Sequence, residues 1–161
     1  MAAEYFLKID KVPGDSTKDG VQKQIEISSF SWGATQGTSH EGDTGVTTSG
    51  VDMQHFTFNT PVSGASVKLM AACSSGDPVG KAVLTARRPA KGKQEIYLTW
   101  TMEDVLVSSY QHNGSSGDGL PQDTFTLAFN KITMEYKPQK ADGSHDAAVT
   151  AGYDLKKMQK V

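Results

Sequence analysis

Alternation of apolar and polar side chains with a period of two is the feature of this sequence that most constrains its fold. Residues 4–10 place Tyr5, Leu7 and Ile9 on one face of an extended segment, and Phe6 and Lys8 on the other. This period is typical of a β-strand. The same pattern predicts strands over 23–33, 51–59, 81–88, 94–102, 105–112, 124–136 and 153–157, with a turn at residues 103–104. We therefore expect a mainly β chain of antiparallel strands.

The alternation changes parity twice. Within 23–33 the apolar positions switch from odd to even near residues 28–29, and within 124–136 they switch from odd to even near Asn130. A β-bulge inserts one residue into a strand and produces such a switch. Bulges also help a sheet to curve, which favours a barrel-like arrangement.

One segment, residues 63–75, departs from the strand period. Val67, Met70, Ala71 and Ser74 follow one another at helical spacing. Ser63 is suited to cap the start of a helix, and Gly76 stands where a left-handed residue usually ends one. We predict a single domain over 1–161, a β-barrel-like fold with one flanking α-helix.

Residues 33–50 form a long segment rich in Gly, Ser and Thr between two predicted strands. Segments this long without structure of their own are uncommon in a compact domain and are usually functional or disordered. A projecting loop or hairpin is the conformation that we expect here.

The net charge and the composition of the chain limit the kinds of partner that we expect it to bind. The formal net charge is −2, whereas a nucleic-acid-binding protein needs an excess of Lys and Arg. The start of the chain shows no signal-peptide pattern, and no apolar run is long enough to span a membrane. We expect the chain to fold in the cytoplasm, without nucleic-acid binding or membrane insertion.

Reactive side chains are scattered along the sequence. No nucleophile-elbow motif is present, and Cys73 is expected to be a buried helix residue. Residues 15–26 approach a calcium-loop pattern, but Thr17 replaces a usual ligand and the predicted flanks are strands rather than helices. The four histidines lie far apart in the sequence. Three of them, His40, His112 and His145, are expected at the solvated surface. The fourth, His55, is expected inside a strand. We therefore predict no catalytic site, no cofactor and no metal.

Several fragments together resemble one protein family. They are Phe6-Leu-Lys-Ile9, Phe30-Ser-Trp-Gly33, Met70-Ala-Ala-Cys-Ser-Ser-Gly76, Asp104-Val-Leu-Val-Ser-Ser109, Gly114-Ser-Ser-Gly-Asp-Gly-Leu-Pro121 and Tyr136-Lys-Pro-Gln139. In this order and spacing they are similar to the haemolysin-coregulated protein (Hcp) family, the tube protein of bacterial type VI secretion. The resemblance covers nearly the whole chain.

The resemblance implies a structural role. Family members form hexameric rings that stack into a tube, which carries effectors in its lumen and works with sheath and spike proteins. It also implies export from the cytoplasm to the extracellular space by type VI secretion, without a signal peptide. The long segment would then provide the contact between stacked rings, and its candidate residues are Gly37, Thr38, Thr44, Thr47 and Thr48.

Strand parity predicts one further functional residue, Ser31. Ser31 lies between two aromatic residues, so a strand directs it to the opposite face. If the aromatics point inward, Ser31 faces out of the core, and we expect it to line the lumen.

Two other classes of function remain open at this point. A monomeric extracellular β-sandwich binding module would need an export signal and exposed aromatics, and a small β-barrel enzyme would need clustered titratable residues. The sequence shows neither an export signal nor such a cluster.

Overall fold

The computed structural model describes residues 3–40, 42, 45–117 and 119–161. They are mainly β, with one helix, and all strand pairs are antiparallel. The strands are β1 Glu4–Ile9, β2 Ile25–Ile27, β3 Ser29–Ser31, β4 Ala34–His40, β5 Val46–Met53, β6 Phe56–Pro61, β7 Gly80–Ala90, β8 Lys93–Asn113, β9 Gln122–Ala128, β10 Lys131–Tyr136, β11 Val149–Asp154 and β12 Gln159–Lys160, and the helix is α1 Gly64–Ser75.

Ten of the strands form two sheets that share β8. Sheet A has the order β12-β11-β10-β8-β7-β1-β2, and sheet B continues from the second half of β8 through β9 and β6 to β3. A bulge was predicted near residues 28–29, but the structure has a break between two strands at Ser28, where the chain leaves sheet A for sheet B. The ladder is interrupted there, so the arrangement is barrel-like without closing into a continuous barrel.

Strand β8 differs from the prediction. Residues 103–104 lie inside one long strand and do not form a turn between two strands. Asp104 has a φ of 54°, and the pairing register with β7 shifts beside it. This bulge bends β8 so that its first half pairs with β7 and β10 and its second half with β9.

Two other predicted strands are each divided. Residues 51–59 contribute to β5 and to β6, which belong to different sheets. Residues 124–136 contribute to β9 and β10, with the break next to Asn130. The parity change there was predicted to be a bulge within one strand, but it marks the end of one strand and the beginning of the next.

Aromatic residues fill the space between the sheets. Phe56, Phe58 and Phe125 are fully buried and stack in sequence, with ring centroids 4.8 and 5.2 Å apart. Trp32 stacks on Phe56, and the edge of Trp100 meets Phe30 at 4.9 Å between centroids. The predicted inward direction of the aromatics around Ser31 is confirmed by these contacts.

Helix α1 begins and ends as predicted. Ser63 and Ser66 form a capping box, and Gly76 ends the helix with a φ of 74°. Ala65 and Leu69 are fully buried against the sheets, whereas Val67 and Met70 are exposed. The residues that indicated the helical period therefore lie largely on its outer face.

Candidate assembly surfaces

Strands β4 and β5 form a hairpin that pairs with no other described strand. Their register runs from Ala34 opposite Met53 to His40 opposite Val46, with a bulge at Ser49. Every residue of β4 is exposed. The predicted projecting hairpin is present, and a two-stranded hairpin of this kind is only marginally stable without further packing.

The hairpin has two chemically different faces. Because directly paired residues share a face, the apolar residues Ala34, Val46, Val51 and Met53 lie on one side, and Met53 packs against the core. The same side carries four polar residues, Gln36, Thr38, His40 and Thr48. The other side is polar and small, and it includes Thr47, whose hydroxyl lies 2.5 Å from that of Ser39. The hairpin thus has one polar face and one mixed face that carries its apolar side chains.

The predicted stacking residues fall on both hairpin faces. Gly37 and Thr47 lie on the polar face, and Thr38 and Thr48 are paired on the other. These four residues are exposed. Thr44 lies outside the described residues. A Cβ at Gly37 would overlap the hydroxyl of Ser49, so a larger residue there would require the Ser49 side chain to move.

Ser31 is exposed at the end of β3, on the face opposite Phe30. Its strand pairs only with β6, through Thr57. The face of Ser31 is therefore on the outside of the subunit, as strand parity predicted.

Sheet A has an apolar area that no described element covers. Ile132, Met134 and Tyr136 share one face of β10, but only Ile132 is buried. Val149 pairs with Tyr136 and lies on the same face. Met134, Tyr136 and Val149 are 41%, 39% and 64% exposed. We call these three residues the open flank.

A buried carboxylate joins helix α1 to the sheets. Asp123 is fully buried, and it accepts hydrogen bonds from the hydroxyls of Ser66 and, at 3.0 Å, Tyr110. His112 Nδ1 lies 2.6 Å from the same carboxylate. Burial, followed by the hydrogen bond to Asp123, raises the pKa of Tyr110. The group is a fixed polar connection between the helix and strands β8 and β9.

This group contains Ser, His and Asp but not the arrangement of a catalytic triad. In a triad the histidine lies between the serine and the carboxylate, whereas here Ser66 and His112 each contact Asp123 directly. Ser66 also accepts a hydrogen bond from the backbone N–H of Ser63 as part of the helix cap. Its position is therefore explained by the structure of the helix.

The residues of the calcium-like motif have other partners. Asp15 Oδ2 accepts a hydrogen bond from the N–H of Gly64 at 3.0 Å, and Asp19 Oδ1 accepts one from Gln22. Within the described part of the chain, no three His, Cys, Asp or Glu residues lie close enough to hold a metal ion. Asp15 thus supports the start of helix α1.

One histidine prediction needs correction. The side chain of His145 is only 12% exposed and lies 3.4 Å from Glu95. His112 is half-exposed and belongs to the end of β8, where it contacts Asp123. The prediction of a solvated surface histidine was wrong for His145, whose side chain is largely buried, and it is confirmed for His112, which is exposed. His55 is exposed, and its Nδ1 lies 2.9 Å from the hydroxyl of Ser108.

A second charged group covers the outer face of β1. Glu4 bonds to Arg87 at 2.7 Å and to Lys18 at 2.8 Å, and both cations lie over the ring of Phe6. Hydrogen bonds from Lys18 and then Arg87 hold the pKa of Glu4 below its ordinary value. Phe6 is fully buried beneath them, which explains why two consecutive residues of β1, Phe6 and Leu7, are both buried.

Asp123, the open flank and the Glu4 group were not predicted from the sequence. Asp123 alternates with Phe125 and Leu127 along β9, so the three residues share one strand face. An acidic residue on an apolar strand face was a signal in the sequence. It was overlooked because the predicted strand began at residue 124, one residue too late. The open flank follows from which strands pair, and pairing is not visible in local periodicity.

The described residues contain no helix with the length and apolar character needed to cross a membrane.

Comparison with known proteins agrees with this geometry. A family model described as "Type VI secretion system effector, Hcp" matches residues 6–136. A protein called hcp1 from Pseudomonas aeruginosa is 35% identical over 157 residues, which is 97% of each chain. A solved structure described as that of a type six secretion system protein superposes with a TM-score of 0.93 at 32% identity, covering 99% of this chain and 100% of the other. Hcp1 from Salmonella typhimurium superposes with a TM-score of 0.82 at 29% identity over the whole of both chains.

Proposed function

The chain belongs to the Hcp family of type VI secretion proteins, and from this premise we propose that it is a tube subunit that assembles into hexameric rings. The rings stack into a tube within a contractile sheath and behind a spike protein, and effectors travel in the lumen. The subunit folds in the cytoplasm and reaches the extracellular space through the secretion machinery. Its role is structural and involves no catalysis.

The free hairpin β4–β5 is the observation that carries this proposal. It pairs with no other described strand and is exposed along β4. A marginally stable hairpin gains stability when a neighbouring molecule packs against it. Repeated contact between copies in a ring or a stack supplies such a neighbour.

Residues 37–38 and 47–48 are proposed to contribute to the contact between stacked rings, and Ser31 to line the lumen. The polar face of the hairpin, with Thr47 near its tip, suits a contact that forms and separates in water. Ser31 is small and uncharged, which suits the wall of a passage that must not retain its cargo.

Electron microscopy of negatively stained protein tests this function. We expect rings with a central hole, and tubes at higher concentration. Thr47→Arg places an unpaired charge in the stacking contact, so it should leave rings intact and shorten or abolish tubes. Thr17→Arg makes the same chemical change at an exposed turn and should preserve tubes. Tubes of normal length from Thr47→Arg would remove the hairpin from the stacking contact.

A further inference from the structure

The outer face of sheet B, opposite the buried aromatic residues, carries two rows of uncharged polar side chains. Each row crosses all four strands of the sheet through directly paired residues. The first row is Ser31, Thr57, Thr126 and Ser109, and the second is Ser29, Asn59, Thr124 and Gln111. In these strand segments, Asp123 and His112 contact each other on the opposite face, beside α1. The outer face therefore presents hydrogen-bonding groups without formal charge.

Side-chain hydrogen bonds connect members of the rows. In the second row, the amide of Asn59 donates to Ser29 Oγ at 2.8 Å and accepts from Thr124 Oγ1 at 2.7 Å. In the first row, the hydroxyls of Ser109 and Thr126 lie 2.7 Å apart. Because these groups hold one another in place, the face is a fixed polar surface.

His55 adds a titratable group to this surface. It is exposed and lies in the connection between β5 and β6. Its Nδ1 lies 2.9 Å from the hydroxyl of Ser108, which lies 2.6 Å from that of Thr126. The Ser108 hydroxyl can accept from a protonated imidazole and donate to Thr126 at the same time. The imidazole is therefore fixed beside the first row, and a histidine ordinarily changes its charge between about pH 5 and pH 8.

The surroundings of His55 leave its positive charge uncompensated. In the part of the chain that the structure describes, no carboxylate lies within ion-pair distance of His55. Strand β6 has no charged residue, and the nearest acidic residues along β5 and β8 are Asp52 and Asp104. Asp104 is four residues from Ser108, or roughly 13 Å along an extended strand. This distance exceeds the screening length of about 8 Å at physiological ionic strength.

We propose that His55 makes the outer face of sheet B a pH-dependent binding surface for acidic segments of a protein cargo. This inference rests on the proposed function, in which Ser31, and with it the first row, lines the lumen of a ring. When His55 is neutral, the wall of the passage is uncharged on this face. When His55 is protonated, every subunit adds one positive charge, and charges of one sign around a confined passage act together on a ligand. Acidic cargo is therefore retained at lower pH and released at higher pH.

Fluorescence anisotropy with a labelled deca-glutamate peptide tests the proposal. Purified rings are titrated in low salt at about pH 5.5 and pH 8, because histidine changes its charge between these values while the peptide stays ionised. The unaltered ring should bind the peptide about fivefold more tightly at the lower pH, the effect of one unit charge at contact distance in water. His55→Gln should remove this difference, and His55→Lys should bind tightly at both pH values because its charge is permanent in this range.

The matched control is His40→Gln, which makes the same chemical change at an exposed histidine of the hairpin and should retain the pH dependence. Light scattering establishes the mass of every preparation. Equal pH dependence in His55→Gln and in the unaltered protein, both hexameric, would overturn the role of His55 and leave the proposed ring intact. An unaltered protein that is monomeric would overturn the proposed function and this inference with it.

Discussion

Asp123 offers the sharpest test of how the helix is held against the sheets. Its carboxylate is fully buried and has three side-chain partners, Ser66, Tyr110 and His112. Asp123→Ala removes the shared partner and leaves polar atoms of α1 and β8 without it. Asp123→Asn keeps the shape and one acceptor oxygen while it removes the ability to carry charge.

The expected magnitude follows from these contacts. A hydrogen bond to a charged group contributes about 1.5–3 kcal/mol, and a buried polar group left without its partner costs about 1–3 kcal/mol. Because the three contacts share one group, their contributions do not add, and we expect Asp123→Ala to lower the free energy of unfolding by about 4 kcal/mol. A domain of this length loses roughly 2–4 °C of Tm per kcal/mol, so its Tm should fall by about 10 °C. Asp123→Asn should cost about 1–2 kcal/mol.

Thermal and urea unfolding, followed by circular dichroism at equal protein concentration, measures both variants. Equal concentration is needed because assembly stabilises the folded subunit by mass action. Asp77→Ala is the control, since Asp77 is an exposed residue and its loss should change stability by no more than about 0.5 kcal/mol. If Asp123→Ala is as stable as Asp77→Ala, the carboxylate does not hold α1 to the sheets, and the reasoning fails.

Three further predictions concern separate parts of the molecule. The pKa of Glu4 is lowered in the folded state, so its contribution to stability is present above its unfolded-state value of about 4.3 and is lost as the pH falls through the folded-state value. Glu4→Gln should therefore reduce the urea midpoint near neutral pH and have much less effect at about pH 3, and an equal loss at both pH values would contradict this. Cys73 packs against the core, so thiol reagents should label it slowly in the native protein and Cys73→Ala should cost about 1 kcal/mol; rapid complete labelling would show that it is accessible. Ser31→Gln should leave rings and tubes intact and lower the retention of an effector, whereas dissociation of the ring would identify Ser31 as an interface residue.

Local signals in the sequence predicted the elements that depend on local physics. Ser63 and Gly76 marked the ends of the helix because capping and left-handed termination need particular residue types. The parity changes near Ser28 and Asn130 marked the places where the chain leaves one strand for another. The mainly β class followed from the period alone.

The unpredicted features depend on partners distant in sequence. Parity cannot distinguish the bulge at Asp104 from a turn, because both interrupt alternation, and the continuity of β8 is set by its pairing with β7, β9 and β10. The burial of Phe6 depends on Arg87, more than eighty residues away. For the same reason the predicted hairpin residues could be placed on a projecting segment, while the open flank, which depends on strand pairing, could not be found.

Size-exclusion chromatography coupled to light scattering tests the central claim most directly. A tube subunit of the proposed kind should elute as a closed ring with about six times the 17.3 kDa mass of one chain. The mass should stay constant on dilution through the micromolar range, because a closed ring buries an interface on both sides of every subunit. A single monomeric species at micromolar concentration would contradict the proposed assembly.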